Sequence, residues 1–136
     1  MRHSLLLVLA LTAAACAKAM TTPLGDIAKL NSLEEVMDNQ ATSADPQFKK
    51  IDQASFSDAE LAALAETAER VQATSAKTKD FSKGRKDPAG FEAVAAKLND
   101  KSKSLAAAVT AKDAKAISAA LTDMRGACRE CHSKFR

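Results

Sequence analysis

The sequence predicts an all-α protein whose helices form an antiparallel four-helix bundle. The first observation is the composition: 136 residues, 46% of them hydrophobic with alanine prominent, four Gly, three Pro, and neither Trp nor Tyr. Such a chain is rich in good helix formers and poor in the turn residues that a β-sandwich needs. The second observation is that four stretches carry apolar residues spaced by three and four, with turn signals between them. Four amphipathic helices with short connections bury their apolar faces most economically as an antiparallel bundle.

Residues 1–19 are predicted to be a signal peptide that precedes the bundle. Arg2 and His3 come before an apolar stretch, Leu5 to Ala15, and small residues follow it. This layout is typical of a secretory signal, and the stretch is too short for a stable membrane anchor. Cleavage after Ala19 leaves one domain, residues 20–136, and the protein is expected in the periplasm.

Two alternatives to cleavage after Ala19 stay open. The run Ala13-Ala14-Ala15 also fits a signal-peptidase site. Lipidation of Cys16 is the other, because small residues directly before a cysteine resemble a bacterial lipobox, although Ala13 stands where that motif usually has Leu. Contact with a membrane is expected only in that lipidated form.

The charge balance argues against nucleic acid as a partner. Removing residues 1–19 takes away Arg2 and Lys18 and no acidic residue, so the formal charge falls from +3 to +1. Nucleic-acid binding usually needs a basic patch or stripe. After Cys16 the chain has only Cys128 and Cys131, so no third cysteine is left to pair with either of them.

The first predicted helix spans Asp26 to Ala54. Its apolar residues are spaced by three and four throughout: Ile27, Leu30, Leu33, Met37, Ala41, Ala44, Phe48 and Ile51. Pro46 interrupts this stretch, and an interior proline removes one backbone hydrogen bond and clashes with the preceding turn. The sequence therefore predicts a kink near Ser43 to Asp45. The alternative is a break into two helices, with Asp45 capping the second.

The second helix is predicted to begin at a capping box, in which Ser57 and Glu60 each accept a hydrogen bond from the other's backbone amide. Its inward face is formed by Leu61, Leu64, Ala68, Val71, Ser75 and Thr78. A loop from Gly84 to Asp87 follows, and Pro88 suits the first position of the third helix. The buried face of that helix is formed by Phe91, Val94, Leu98, Leu105 and Val109.

The fourth helix has the most regular pattern, and Asp113 is its predicted cap. Its apolar residues are spaced four, three, four, three and four: Ile117, Leu121, Met124, Cys128, Cys131 and Phe135. Both cysteines therefore belong to the stripe that faces the core.

The motif that indicates chemistry is Cys128-Arg129-Glu130-Cys131-His132, a C-x-x-C-H sequence of the kind that attaches haem c. Two thiols at this spacing can add across the two vinyl groups of the porphyrin. The next residue, His132, can then give an imidazole nitrogen to the iron. On a helix, Cys128, Cys131 and His132 share one face because they are three and four residues apart.

A C-x-x-C pair by itself also occurs in zinc sites, redox dithiols and disulfides. A structural zinc site needs four ligands, and the mature chain offers two Cys and one His. A thioredoxin-like dithiol needs a βαβ setting, which this sequence lacks. Predicted export and the histidine that follows favour one covalent haem c over a disulfide or metal site.

The second axial ligand of the iron is predicted to be Met37. His132 is the only histidine after residues 1–19, so two histidines of one chain cannot ligate the iron. Methionine is the next usual ligand in cytochromes. Met124 lies one turn before Cys128 and should pack at the haem edge, whereas Met37 is on another helix and can face the haem across the bundle. A methionine on an apolar stripe can also be core filler, and that interpretation of Met37 stays open.

The chain resembles the class II c-type cytochromes, the family of cytochrome c′ and cytochrome c-556. The resemblance covers the mature chain, and its specific part is the C-terminal Cys128-Arg129-Glu130-Cys131-His132-Ser133-Lys134-Phe135-Arg136. It implies that Arg136 and Arg125 lie near the haem propionates, although Arg125 can equally be an ordinary surface residue. It also implies that a dimer through the first two helices is plausible.

The family's two branches imply two functions. In cytochrome c′ the iron is five-coordinate, an apolar side chain covers the distal face, and nitric oxide or carbon monoxide binds. In cytochrome c-556 a methionine of the first helix is the sixth ligand and the protein carries electrons. Leu33-Glu34-Glu35-Val36-Met37 resembles the stretch that bears this methionine, but Glu34 and Glu35 stand where the family often has Arg or Lys.

The sequence thus favours a periplasmic one-electron carrier with one haem c, ligated by His132 and Met37, that exchanges electrons with partner proteins. The alternative is a five-coordinate cytochrome c′ that binds nitric oxide or carbon monoxide. A third possibility is a helical bundle whose Cys128 and Cys131 hold a disulfide or a metal and no haem. No nucleophile–base pair is visible and no second histidine can act as a distal base, so no enzymatic activity is expected.

Overall fold

The computed structural model describes residues 22–136, which fold into four α-helices and two short 3₁₀ helices. In chain order these are a 3₁₀ helix at Leu24–Lys29, α1 at Leu33–Phe48, α2 at Asp58–Thr78, a 3₁₀ turn at Lys79–Phe81, α3 at Pro88–Thr110 and α4 at Ala114–Phe135. Residues 22–136 contain no strand, and the all-α prediction is confirmed. The predicted signal peptide, its cleavage sites and Cys16 lie outside the described residues.

The helices are antiparallel from one to the next, because short loops join them and because their contacts run in opposite directions. Interhelical hydrogen bonds pair residues whose numbers rise on one helix while they fall on the other: Gln40 with Thr78 and Ser43 with Thr67 between α1 and α2, Lys97 with Glu130 and Lys101 with Asp123 between α3 and α4. The four-helix bundle is therefore the architecture that the periodicity predicted.

The first helix begins later than predicted. The stretch from Asp26 onwards is a 3₁₀ helix, and α1 starts only after Ser32. The hydroxyl of Ser32 accepts from the amide of Glu35 at 3.2 Å, and the Glu35 carboxylate accepts from the Ser32 amide at 3.2 Å. This capping box satisfies two amides that have no partner within the helix, so α1 starts there.

The alternative of a break into two helices, with Asp45 capping the second, was also wrong, while the kink near Ser43 to Asp45 stays a prediction. Helix α1 runs through these residues and through Pro46 and ends at Phe48. Pro46 lies in the last turn, where only one backbone bond is lost before the helix ends. The chain then turns away through Asp52, which has a positive φ of 70°. The predicted extension of the helix to Ala54 is therefore absent.

The other helix starts agree with the sequence. Each has a side-chain oxygen that accepts from the third amide of its helix: Ser57 from Glu60, Asp87 from Gly90 and Asp113 from Ala116. Pro88 occupies the first turn of α3, as predicted. Such caps contribute about 1 kcal/mol each.

The main apolar core belongs to α2, α3 and α4. Its buried members are Leu61, Leu64, Ala68, Val71, Leu98, Leu105, Ala108, Val109, Ile117, Ala120, Leu121, Met124 and Ala127, together with Ala44 as the single residue from α1. Since α1 adds so little to this core, the space between α1 and the other helices is available for something else.

Candidate functional site

All four helices line one cavity of about 480 Å³. The wall from α1 includes Leu33, Met37, Ala41 and Ala44, and the wall from α4 includes Met124, Cys128, Cys131 and His132. Among neighbouring helices, α1 and α4 have the least contact with each other. The cavity is of the size that proteins use for small-molecule cofactors, and its wall is predominantly apolar.

Helix α4 brings the three motif residues to this cavity. Cys128 and Cys131 are half-buried and His132 is exposed at the wall. They share the cavity face because α4 runs without interruption from Ala114 to Phe135, so residues three and four apart lie above one another. Within residues 22–136, the His132 ring has no hydrogen-bond partner.

Both cysteines are free thiols. Burial raises the pKa of Cys128 to about 11, and the negative charges of Asp45 and of a Cys131 thiolate act in the same direction. Burial also raises the pKa of Cys131, although the nearby Arg85 cation opposes it. Reactive dithiols need a lowered pKa, because the thiolate is the nucleophile. The environment of this pair therefore argues against a redox dithiol.

The two methionines stand on different sides of the cavity. Met37 lies on α1, half-buried in the wall that faces α4. Met124 lies on α4 one turn before Cys128, is fully buried and belongs to the main core. Met124 and His132 are on the same helix, so they are not on opposite sides of the cavity. Of the two methionines within residues 22–136, Met37 is the one across the cavity from the motif.

Two arginines line the cavity, and one of them was not predicted. Arg136, at the end of α4, lies in the cavity wall as the resemblance implied. Arg125 is half-buried and is not part of that wall, and both interpretations of it stay open. The loop between α2 and α3 contributes Arg85. An up-and-down bundle places this loop at the same end as the C-terminus of α4. The predicted topology was therefore the signal that could have indicated Arg85 as a cavity residue.

Ser75 is a buried polar group with no partner. Its side chain is fully buried on α2, it lines the cavity, and its hydroxyl oxygen makes no hydrogen bond within residues 22–136. A serine or threonine inside a helix can donate to a carbonyl one turn earlier, as Thr74 and Thr78 do here. An unpaired buried hydroxyl in a cavity wall is a feature that a bound polar group can satisfy.

Glu130, between the two cysteines of the motif, braces α4 against α3. Its carboxylate accepts from Lys97 Nζ at 2.5 Å and from Lys134 Nζ at 3.0 Å. The hydrogen bond from Lys97 is the main reason why the pKa of Glu130 is lowered, and Lys134 acts in the same direction. The brace holds the motif-bearing turn in place at the bundle surface.

The donor set suits a haem better than a bare metal ion. Residues 22–136 contain no group of three or more His, Cys, Asp or Glu side chains that could hold a metal ion. One cavity does contain two free thiols, a histidine, a methionine on the opposite wall, apolar side chains and two cations. Thiols fit the vinyl groups, the imidazole fits the iron and the cations fit the two propionates, so the residues present fit haem c.

No helix within residues 22–136 is long and apolar enough to cross a membrane.

Comparison with known proteins gives one match. The family model described as cytochrome c′ matches residues 15–136. Neither the curated proteins nor the solved structures contain a match.

Proposed function

The chain belongs to the cytochrome c′ family, and from that membership we propose that it is an exported one-electron carrier whose haem iron is ligated by His132 and Met37. Proteins of this family bind haem c covalently, so the chain carries one haem c. The proposal concerns which residues hold the group and what it does there.

Cys128 and Cys131 are the residues that would form the thioether bonds, and His132 the residue that would ligate the iron. All three lie on one wall of one cavity. The haem supplies a metal that gains and loses one electron. The residues around it hold it and exclude water, since the cavity wall includes Val71, Phe91 and Leu98.

The position of Met37 is the observation that supports the proposal. It is the one methionine within residues 22–136 that lines the cavity from the side opposite the motif. The thioether of Met37 and the imidazole of His132 would both hold the iron, in its oxidised and in its reduced state. This limits reorganisation during electron transfer, and methionine ligation raises the reduction potential.

The second candidate is a five-coordinate, gas-binding cytochrome c′. Leu33 favours it, because it lines the cavity from the same helix one turn before Met37. An apolar side chain from α1 could therefore cover the distal face if the methionine sulfur does not bind the iron. Met37 would then be part of the apolar wall and carbon monoxide or nitric oxide would bind directly.

The test is the optical spectrum of the holoprotein, oxidised, reduced, and reduced with carbon monoxide. The proposal expects a low-spin spectrum with a methionine-to-iron charge-transfer band and no response to carbon monoxide. Met37→Leu keeps the side-chain volume and should give a high-spin protein that binds the gas. Met124→Leu is the matched control and should keep the wild-type spectrum.

A wild-type protein that is already high-spin and binds carbon monoxide, with no change in Met37→Leu, would establish the second candidate. Failure to find covalent haem after expression with a haem-maturation system would remove both and leave a bundle with a disulfide or a metal.

Export also belongs to the proposal. Thr22 follows closely on the predicted cleavage after Ala19. It is anchored to the bundle, because its amide donates to Asn39 Oδ1 at 3.1 Å and its carbonyl accepts from Arg70. Export with cleavage after Ala19 would give a mature chain from residue 20. The intact mass of periplasmic protein tests this: residues 20–136 plus haem are expected, whereas an acylated Cys16 would add residues and lipid.

The redox partner proteins and the homodimer through the first two helices stay predictions. An analytical ultracentrifugation run on the holoprotein would decide the oligomeric state.

A further inference from the structure

Arg85 is held in one position at the cavity wall. It lies in the loop between α2 and α3, and its side chain is half-buried. Its Nε donates to the Phe81 carbonyl at 3.0 Å, and its guanidinium carbon lies 4.0 Å from the centre of the Phe91 ring. Phe91 in turn packs edge-on against Phe135 of α4, with ring centres 5.4 Å apart. The guanidinium is therefore fixed by one hydrogen bond and one ring face.

Arg85 has no anionic partner within the described chain. No carboxylate of residues 22–136 lies within 4.0 Å of its guanidinium, whereas Lys77 pairs with Asp80 at 3.0 Å and Lys97 with Glu130 at 2.5 Å. Its two terminal amino groups make no hydrogen bond to residues 22–136. A half-buried cation with unused donors loses hydration that nothing in this part of the chain replaces.

The cavity wall divides by charge. The acidic residues that line it all come from α1, namely Glu34, Asp38 and Asp45, and none of them has a basic partner within 4.0 Å among residues 22–136. The cationic residues that line it, Arg85 and Arg136, come from the α2–α3 loop and the end of α4. An anionic group in the cavity is therefore repelled by the α1 side and attracted by the side that the α2–α3 loop and the end of α4 form.

A haem brings two carboxylates into this field. In the porphyrin, each ring that bears a propionate is next to a ring that bears a vinyl group, and the vinyl groups are those that Cys128 and Cys131 would take. Arg85 is close enough to Cys131 to act on its pKa, so it lies within reach of the propionate on the adjacent ring. A guanidinium presents paired donors that match a carboxylate, and such charge-assisted pairs are about twice as strong as neutral hydrogen bonds.

We propose that Arg85 binds a haem propionate and so positions the cofactor edge and raises its reduction potential. This rests on the haem attachment of the proposed function. The effect on potential follows from charge: the oxidised iron carries one more positive charge than the reduced iron, so a nearby cation disfavours the oxidised form. Contact with the Phe91 ring and the hydrogen bond to the Phe81 carbonyl keep the guanidinium in place, whereas a lysine ammonium lacks the planar fork of paired donors.

The test compares Arg85→Gln with Lys86→Gln in the holoprotein. Both remove one positive charge from the same loop, but Lys86 is exposed and does not line the cavity. Arg85→Gln should lower the reduction potential clearly more than Lys86→Gln does, and its propionate bending mode should shift in the resonance Raman spectrum. Equal potentials in the two variants, or an unshifted propionate mode, would overturn the proposal.

Arg85→Lys extends the test if the glutamine variant does not fold. It keeps the charge but loses the paired donors and the ring stacking, so its potential should lie between those of the wild type and Arg85→Gln. A potential equal to that of the wild type would overturn the positioning role. Haem content is measured first, by the pyridine haemochrome, so that failure of the proposed function can be told from failure of the Arg85 proposal. Absent haem defeats the proposed function, whereas normal haem with unchanged potentials defeats only the role of Arg85.

Discussion

Helix α1 and the other three helices complete the bundle in different ways. Helices α2, α3 and α4 bury Leu, Ile, Val and Met side chains against one another. Helix α1 buries five residues, and three of them are polar: Asn39, Gln40 and Gln47, beside Val36 and Ala44. Apolar side chains of the protein itself hold α2, α3 and α4 together. The inner face of α1, in contrast, borders a cavity that a cofactor can fill.

The polar contacts of α1 are of uneven quality. Asn39 is well satisfied, because its amide nitrogen donates to the Glu35 carbonyl at 2.8 Å. Gln40 makes a long bond of 3.4 Å to Thr78, and the side-chain oxygen of Gln47 is buried without a partner within residues 22–136. Buried polar groups that are unpaired or poorly paired cost stability. These polar contacts therefore attach α1 less firmly than the apolar core holds α2, α3 and α4 together.

The largest expected effect comes from removing both thiols. Cys128→Ala with Cys131→Ala should abolish covalent haem attachment, because no other cysteine of residues 22–136 lines the cavity. Acid–acetone extraction followed by an absorption spectrum of the protein fraction measures it. Cys16→Ala is the control and should keep its haem. Haem that stays covalently bound to the double variant would contradict the assignment of the attachment site.

The second effect is a loss of stability, which should be larger for changes in the main core than for a matched change on α1. Leu64→Ala on α2 should cost about 2–5 kcal/mol, since Leu64 is fully buried in the main core. Val36→Ala on α1 and Val109→Ala on α3 remove the same atoms from buried sites, and Val109 belongs to the main core whereas Val36 does not. Urea unfolding of the holoproteins should show the smaller loss for Val36→Ala. A larger loss of stability for Val36→Ala than for Val109→Ala would contradict the view that α1 contributes less to the packing than the main core does.

A third, smaller effect distinguishes two fully buried serines. Ser75 has no hydrogen-bond partner in the described chain, whereas Ser102 on α3 donates to the Asn99 carbonyl at 2.6 Å. In haem-free protein, Ser75→Ala should be neutral or stabilising and Ser102→Ala should cost about 1 kcal/mol. Thermal unfolding of both variants measures it. Equal losses would mean that the Ser75 hydroxyl is already satisfied without a ligand.

The smallest effect depends on pH at the junction of α1 and α2. A hydrogen bond from Gln53, with further bonds from Ser57, lowers the pKa of Glu60 from 4.5 to about 2. A lowered pKa means that the folded protein favours the carboxylate, so this stabilisation is complete above pH 4.5 and disappears as the pH falls towards 2.

Glu60→Gln should therefore be less stable than the wild type at pH 7 and equal to it near pH 2. Unfolding curves over this range measure the difference. Glu69→Gln, an exposed change further along α2, is the control and should show no such convergence. A stability difference that does not depend on pH would mean that Gln53 and Ser57 do not prefer the charged form.

The sequence predicted what depends on local rules. The capping box at Ser57, the proline at the start of α3 and the common face of Cys128, Cys131 and His132 follow from spacing alone, and the structure confirms the placement of each of them. The predicted start of α1 was wrong because the apolar spacing of three and four continues through the 3₁₀ helix. The feature that fixes the start is the capping box of Ser32 and Glu35.

Features that depend on tertiary packing could not be predicted. Arg85 belongs to a charged loop that looks solvated in sequence, and only the closeness of the loop to α4 brings it to the cavity. Ser75 occupies an ordinary position on the inward stripe of α2. Its missing partner follows from the shape of the cavity, which no local pattern encodes.

The measurement that tests the comparison most directly is hydrogen exchange of the amides of α1 against those of α2 and α3, in the holoprotein and in the haem-free Cys128→Ala, Cys131→Ala variant. Loss of haem should remove protection from α1 while α2 and α3 stay protected, because most of the main core, including Leu61, Leu64 and Leu105, does not line the cavity. Equal protection of α1 in both forms, or loss of protection in all helices together, would contradict it.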